Sequence, residues 1–331
     1  MTAPRLARRA ARLALAAALG AGCSTPAPLP GGAPSHTGAV DSASLLRDLG
    51  ALAADSMEGR LAGSAGGARA RAFVVRRFQE VGLPPLFDSL VQPATVDPAA
   101  RARLGPGLVA NVVGVVRGTA RPERYIVLTA HYDHVGIGRA VAGDSVYNGA
   151  DDNASGAAAL LAVARDLLRR PPATSVIIAA LDAEERGGFG AAELVRSLAG
   201  REVLLDINLD MVSHSAAGEL YAAGASHHPF LRPYLDTLAA RAPVRLIQGH
   251  DRPDPKPSDD WTTQSDHHAF HKAGIPWVYF GVEDHPDYHK PSDEVRTITP
   301  GFYVRAVETV LEAVRTFDRN ADALAAARAG R

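Results

Sequence analysis

Four short segments bring histidines together with acids: His131-Tyr132-Asp133-His134, Asp182-Ala183-Glu184-Glu185, Asn208-Leu209-Asp210 and His285-Pro286-Asp287-Tyr288-His289. A fifth segment, Asp151-Asp152, pairs two acids. Neutral imidazole and carboxylate together suit zinc and similar divalent ions. Two ions about 3.5–4 Å apart need a bridging carboxylate and terminal ligands on each side. Two histidines and three or four acids meet that need. The charge of two Zn2+ would be balanced by three carboxylates and a hydroxide, a neutral set that a partly dry cleft can hold. Other hydrolytic chemistries are disfavoured. No Gly-x-Ser-x-Gly elbow is present. A catalytic cysteine is excluded, because the only one, Cys23, lies in a segment that reads as a signal.

These segments need a scaffold that presents them along one edge. Each of the first three follows an apolar, strand-like run: Tyr125–Ala130, Ser175–Leu181 and Val203–Leu209. The fourth follows Trp277–Phe280. Another strand is expected over Val109–Val116. Helical spacing predicts helices from Asp41 or Ser42 to about Ala54, over Gly67–Val81, Ala154–Leu168, Gly190–Leu198 and His228–Ala242, and from Phe302 to about Ala326. Continuous apolar strands alternating with helices imply an α/β three-layer sandwich, with a mostly parallel mixed sheet covered on both faces. In such a sheet the carboxyl ends of the strands share one edge, where ligands bind. Asp151-Asp152 opens a helix and would face the same edge through its N-terminus. No repeat or linker divides residues 41–331, so one domain is expected.

The segments T-A-H-Y-D-H-V-G, G-A-D-D-N-A-S-G, D-A-E-E-R-G-G-F-G, N-L-D-M-V and Y-H-K-P-S-D-E stand in that order between residues 129 and 294. M-E-G-R-L-A-G-S at 57–64 and S-D-H-H-A-F-H-K-A-G-I-P at 265–276 accompany them. The set resembles the di-zinc exopeptidases that include secreted bacterial aminopeptidases, glutamate carboxypeptidase II and the glutaminyl cyclases. The resemblance implies that His131 and Asp210 hold one zinc, Glu185 and His289 the other, and that Asp152 bridges them. Asp151 is then a neighbour of the site. Glu184 would be the general base, taking a proton from the attacking water and passing it to the leaving amine. Asp133 would accept the remaining ring N–H of His131. Tyr288 would donate to the developing oxyanion, and Asp293 would support His289. Lys290 and Glu294 depart from the family, which more often has small hydroxyl residues there.

The same resemblance implies a peptide substrate, most simply for an aminopeptidase; a carboxypeptidase or a glutaminyl cyclase of the same fold is the alternative. The cyclases carry Trp before the last histidine, where this chain has Tyr288. A non-catalytic binding lipoprotein is the competing class. The Pro- and Asp-rich stretch 248–264 reads as a loop rimming the site, whose Asp251, Asp254, Asp259, Asp260 and Trp261 would favour an amine and an apolar side chain. His267 and His271 have helical spacing and are not assigned as ligands; His36, His227, His228 and His250 read as solvated.

The chain has 331 residues, a net charge of −1, 47% hydrophobic residues and one cysteine. That composition excludes a disordered chain. It gives no electrostatic footprint for nucleic acid. No apolar run reaches about 18 residues, so no spanning helix is expected. Arg5, Arg8, Arg9 and Arg12 precede the apolar run Leu13–Leu19 and then Gly20-Ala21-Gly22-Cys23. This reads as a signal over 1–22. It resembles bacterial lipoprotein signals, in which such a cysteine becomes the lipidated first residue. Residues 23–40, rich in Pro, Gly, Ser and Ala, read as a flexible tether. The expected location is therefore outside the cytoplasm, anchored to a membrane by lipid; secretion is the alternative.

Overall fold

A computed structural model describes residues 38–252 and 259–329. The expected signal, Cys23, most of the tether, His36 and Asp254 lie outside the described residues. Among the described residues ten strands occur: β1 (Val91–Pro93), β2 (Ala110–Val116), β3 (Arg121–His131), β4 (Gly136–Val141), β5 (Asp144–Tyr147), β6 (Thr174–Leu181), β7 (Glu202–Leu209), β8 (Glu219–Ala223), β9 (Arg245–Gln248) and β10 (Trp277–Gly281). The helices are α1 (Ser42–Leu52), α2 (Ala65–Glu80), α3 (Pro98–Arg101), α4 (Gly156–Arg169), α5 (Phe189–Ser197), α6 (Arg232–Ala239), α7 (His267–Lys272), α8 (Pro300–Arg319) and α9 (Ala321–Ala329).

Eight strands form one sheet in the order β1-β2-β6-β3-β7-β10-β8-β9, and β4 and β5 form a separate hairpin. The centre is parallel: β6 with β3, β3 with β7, and β7 with β10. β8 and β9 are parallel to each other, whereas β2 joins β6 and β8 joins β10 antiparallel. The carboxyl ends of β6, β3, β7 and β10 therefore share one edge.

Every residue of β2 and β6 is buried. Strand alternation sends their side chains to two separate cores. Val176, Ile178 and Ala180 of β6 pack in the larger core, together with residues of α1, α4 and α8. Ile177, Ala179 and Leu181 pack with Ala191 and Leu194 of α5 and Phe270 of α7. Burying each large aliphatic side chain contributes about 1.5–3 kcal/mol, so both faces must be covered for the strands to stay in place. The layers are thus helix, sheet, helix.

Helix starts follow local chemistry. Asp41 caps α1 by accepting from the Ser44 N–H, and Ser64 caps α2 by accepting from the Gly67 N–H. Val40, which composition assigns to the tether, is buried in the larger core. The closing helix is broken at Asn320, between α8 and α9. The Asn320 side chain turns back to the Thr316 carbonyl at 2.8 Å, a local bond that competes with the helical ladder. The strands β1, β4, β5, β8 and β9 were not legible in the sequence. They are short, and β4 and β5 carry mostly exposed or half-exposed residues without an apolar face.

Candidate metal centre

The parallel strands deliver the acids and histidines to one cleft. His131 is the last residue of β3, Glu184 and Glu185 follow β6, and Asp210 follows β7. Asp152 sits in an irregular helical turn, Ala150–Ser155, that precedes α4, and the Asp152–Asn153 peptide is cis. His289 lies in the loop after β10. Three non-glycine residues in the left-handed region flank these positions: Ala183 (φ 60°), Met211 (φ 58°) and His289 itself (φ 52°). Such strain persists only where the surroundings over-determine it, and it commonly gathers at functional sites.

Two sets of ligand-type atoms share Asp152. His131 Nε2 lies 3.4 Å from Asp152 Oδ1 and 3.3 Å from Asp210 Oδ1. His289 Nε2 lies 3.0 Å from Asp152 Oδ2 and 3.3 Å from Glu185 Oε2. A tetrahedral zinc with bonds of about 2.0–2.2 Å places neighbouring ligand atoms roughly 3.3–3.6 Å apart. The observed spacings are close to that, and each oxygen of Asp152 belongs to a different set. The donor set therefore fits two zinc-type ions with Asp152 between them.

The supporting contacts depart from expectation in two places. The Asp133 carboxylate lies 3.7 Å from His131 Nδ1, and the nearer acceptor is the Asp133 backbone carbonyl at 3.2 Å. One oxygen of that carboxylate instead accepts the Glu184 backbone N–H at 3.1 Å, which anchors the chain just before Glu185. Asp293 does not reach His289. Its fully buried carboxylate accepts the N–H groups of Asp151 and Asp152 at 2.9–3.1 Å and so holds the bridging segment. His289 is covered by the ring of Tyr288, stacked at 4.0 Å.

Two residues of the centre had no role assigned from sequence. His134, fully buried, places Nδ1 2.7 Å from Glu185 Oε1. Arg60, also fully buried, donates to the carbonyls of Leu52, Tyr132 and Gly149 at 2.8 Å and of Asn148 at 2.5 Å. It ties α1, the end of β3 and the segment before Asp152 together. The repeated histidine in H-Y-D-H and the lone arginine in M-E-G-R-L-A-G-S were the available signals.

In the metal-free chain the groups shift one another strongly. Burial lowers His131, but Asp210 and Asp133 outweigh it, so the imidazole is held well above its usual range. Burial also opposes the charge on His289, yet hydrogen bonds with Asp152 and Glu185 raise it to about 10. Burial raises Glu185, but His134 and His289 pull it well below the usual carboxylate range. Burial pushes Glu184 well above that range, with His131 opposing and Asp266, Asp210 and Glu185 reinforcing. Burial likewise lifts Asp266 to about 8 and Asp293 to about 6, and lowers Arg60 to about 10.

The remaining candidates fall outside the two sets. Asp151 accepts from the N–H and hydroxyl of Ser213 and is not a member of either set. Its other oxygen faces His285 Nε2 at 3.2 Å. His285 stacks on His214 at 3.9 Å, and the two form with Asp287 a separate group whose ligand-type atoms lie within 4.8 Å of one another. His267 is buried beside the Trp261 carbonyl at 2.8 Å, and burial lowers it to about 3. His271 accepts from the Trp277 indole. The expectation of solvated histidines fails at three positions. His228 is buried, His227 pairs with the Thr262 hydroxyl, and His250 stacks on Trp261 at 3.8 Å. The loop acids are also committed. Asp251 accepts from the N–H groups of Gly224 and Ser226, and Asp260 caps the turn at Thr262. Of the described members of that set, Trp261 lines the metal cleft, together with Tyr279, Val282, Asp284 and Tyr288.

A profile described as Peptidase family M28 matches residues 111–314, more than half of the chain. Over 129 residues the chain is 36% identical to a probable zinc metalloprotease of Leptosphaeria maculans, covering 38% of this chain and 30% of that protein. Over 222 residues it is 29% identical to aminopeptidase YwaD of Bacillus subtilis, covering 62% of this chain and 44% of that protein. The matched stretches thus span less than half the length of these curated relatives. The fold is similar to that of BSAP, a zinc aminopeptidase from Bacillus subtilis, with a TM-score of 0.63 and 18% identity, covering 82% of this chain and 94% of that one. With the profile running from β2 into α8 and through both ligand sets, the chain belongs to peptidase family M28.

Proposed function

We propose that this chain is a zinc-dependent exopeptidase, acting as an aminopeptidase that removes the first residue of a peptide. The observation that carries the reading is the division of Asp152, one oxygen in the His131–Asp210 set and the other in the Glu185–His289 set. His131, Asp210, Glu185, His289 and the bridging Asp152 would hold two zinc ions. When bound, the ions polarise the peptide carbonyl and lower the pKa of water. Glu184 then acts as base and acid. Its carboxylate takes a proton from water as the C–O bond forms, and delivers it to the peptide nitrogen as the C–N bond breaks. The Tyr288 hydroxyl, which burial and nearby acids keep protonated, is available to donate to the oxyanion.

The metal cleft is about 50 Å³, and Trp261, Tyr279 and Val282 are among the residues that line it. A cavity of about 630 Å³ shares Glu184 with the cleft and is lined by residues of α5 and α7, among them Ala191, Val195 and Ala269, with Arg196 and Lys272. No arginine or lysine lines the metal cleft itself among the described residues. The acids Glu184, Asp210 and Asp284 suit a free amine. A signal over residues 1–22 and lipidation at Cys23 would hold this activity at a membrane outside the cytoplasm.

The test is hydrolysis of Leu, Arg, Glu and Lys p-nitroanilides, abolished by a chelator and restored by Zn2+. Cleavage only of peptides blocked at the amine, or full activity in chelator, refutes the reading.

A further inference from the structure

His134 is buried among the ligands, with a ring nitrogen within 4.8 Å of ligand atoms of Asp152, Glu185 and His289. Its Nδ1 approaches Glu185 Oε1 at 2.7 Å, whereas the oxygen of Glu185 that faces His289 is Oε2, at 3.3 Å. Two ligands of one tetrahedral zinc would sit roughly 3.3–3.6 Å apart, so 2.7 Å is a hydrogen-bond distance and not a shared-ion edge. Asp152 Oδ2 is 3.7 Å away, too far to compete. The other ring nitrogen, Nε2, is buried and has no hydrogen-bond partner. A proton on Nδ1 satisfies the hydrogen bond to Glu185 and leaves Nε2 as an acceptor, whereas a proton on Nε2 would bury an unpaired N–H and set a lone pair against a carboxylate.

The ring is also held in place from behind. Gly149 adopts φ +56°, and a Cβ built there would lie 2.5 Å from His134 Cδ2 and 2.7 Å from Cγ. The His134 backbone N–H reaches the Arg60 carbonyl at 3.4 Å. His134 is therefore a fixed donor, and the flexible partner is the glutamate, whose terminal torsion is otherwise broad.

We propose that His134 is the positioning residue of the second ion's site: its Nδ1–H holds Glu185 Oε1 so that Oε2 is presented beside His289 and Asp152. The proposal rests on the two-ion reading above. Groups that orient a ligand in this way typically change metal affinity about 10–100-fold when removed.

Asparagine places its amide nitrogen near the position of Nδ1, and glutamine places it near Nε2. The experiment compares wild type, His134→Asn and His134→Gln, titrated with Zn2+ by equilibrium dialysis with elemental analysis, and with Co2+ by absorption spectroscopy. Wild type should bind two ions. His134→Asn should keep both with the second within about threefold, and His134→Gln should weaken only the second by about 10–100-fold. Equal retention or equal loss of the second ion in the two variants overturns the proposal while leaving the two-ion reading intact. A wild-type chain that binds a single ion overturns that reading, and the proposal with it. A measurement on the unaltered chain guards against misfolded variants. In long-range 15N spectra of the histidines, the ring assigned to His134 by its absence from the spectrum of His134→Asn should carry an exchange-protected proton on Nδ1 in both metal-free and loaded protein. No such ring, or protection only of an Nε2 proton, overturns the proposal.

Discussion

Replacing Arg60 by lysine keeps the charge and removes the fork. The guanidinium binds four carbonyls at 2.5–2.8 Å, from Leu52, Tyr132, Asn148 and Gly149. An ammonium has three donors on one atom and cannot span acceptors that approach from three chain segments. We expect it to keep about two of the four. Hydrogen bonds to a charged group contribute about 1.5–3 kcal/mol each, so two lost bonds cost about 3–6 kcal/mol. A water entering the vacated volume recovers part of this, leaving about 2–4 kcal/mol. Against a typical stability of about 5–15 kcal/mol the chain should still fold. The assay is urea unfolding with chelator present, so that metal-linked stability does not enter. The midpoint should fall at an unchanged slope. The loss should extend to zinc affinity, because the carbonyls that Arg60 binds flank His131 on one side and Asp152 on the other. A stability change below about 0.5 kcal/mol would mean that Arg60 is not the tie drawn here.

Glu184→Gln should leave Zn2+ stoichiometry unchanged and lower kcat by about 10²–10⁴-fold, as read from steady-state hydrolysis beside elemental analysis. In the metal-free chain, the raised His289 contributes stability that is complete below about pH 6.5 and is lost as pH rises through about 10. The depressed Glu185 contributes above its ordinary range and loses that contribution as pH falls through its lowered folded value. Metal-free stability from this pair should therefore decline on both sides of mildly acid pH, as followed by thermal unfolding from pH 4 to 10; a flat profile contradicts it. Because His131 and His289 hold protons, Zn2+ binding near pH 7 should release protons, seen as a buffer-dependent heat in calorimetry. Cys23→Ala should move the protein from the membrane fraction to the soluble one on fractionation, and unchanged partition contradicts lipidation there.

The linear chain determined a good deal by itself. Apolar runs of seven or eight residues, such as Ser175–Leu181, admit only buried parallel strands once helices separate them. The acids and histidines that end those runs must then share an edge, whatever the loops do. This is why the sheet centre and the segments that carry the acids and histidines were readable from residue types and order, while the part each residue plays rested on the family resemblance.

Tertiary structure decided the rest, because those features depend on partners distant in sequence. Asp293 reads as a neighbour of His289, yet it binds the backbone of Asp151 and Asp152 more than a hundred residues away. Asp251 and Asp260 read as free acids in a loop, but the orphan N–H groups of adjacent turns take them up. His134 and Arg60 stand inside motifs of the chain, but the motifs do not say what either side chain holds. They matter only because packing removes water from both, and a buried donor must then find an acceptor, which here lies on the metal-bearing segments.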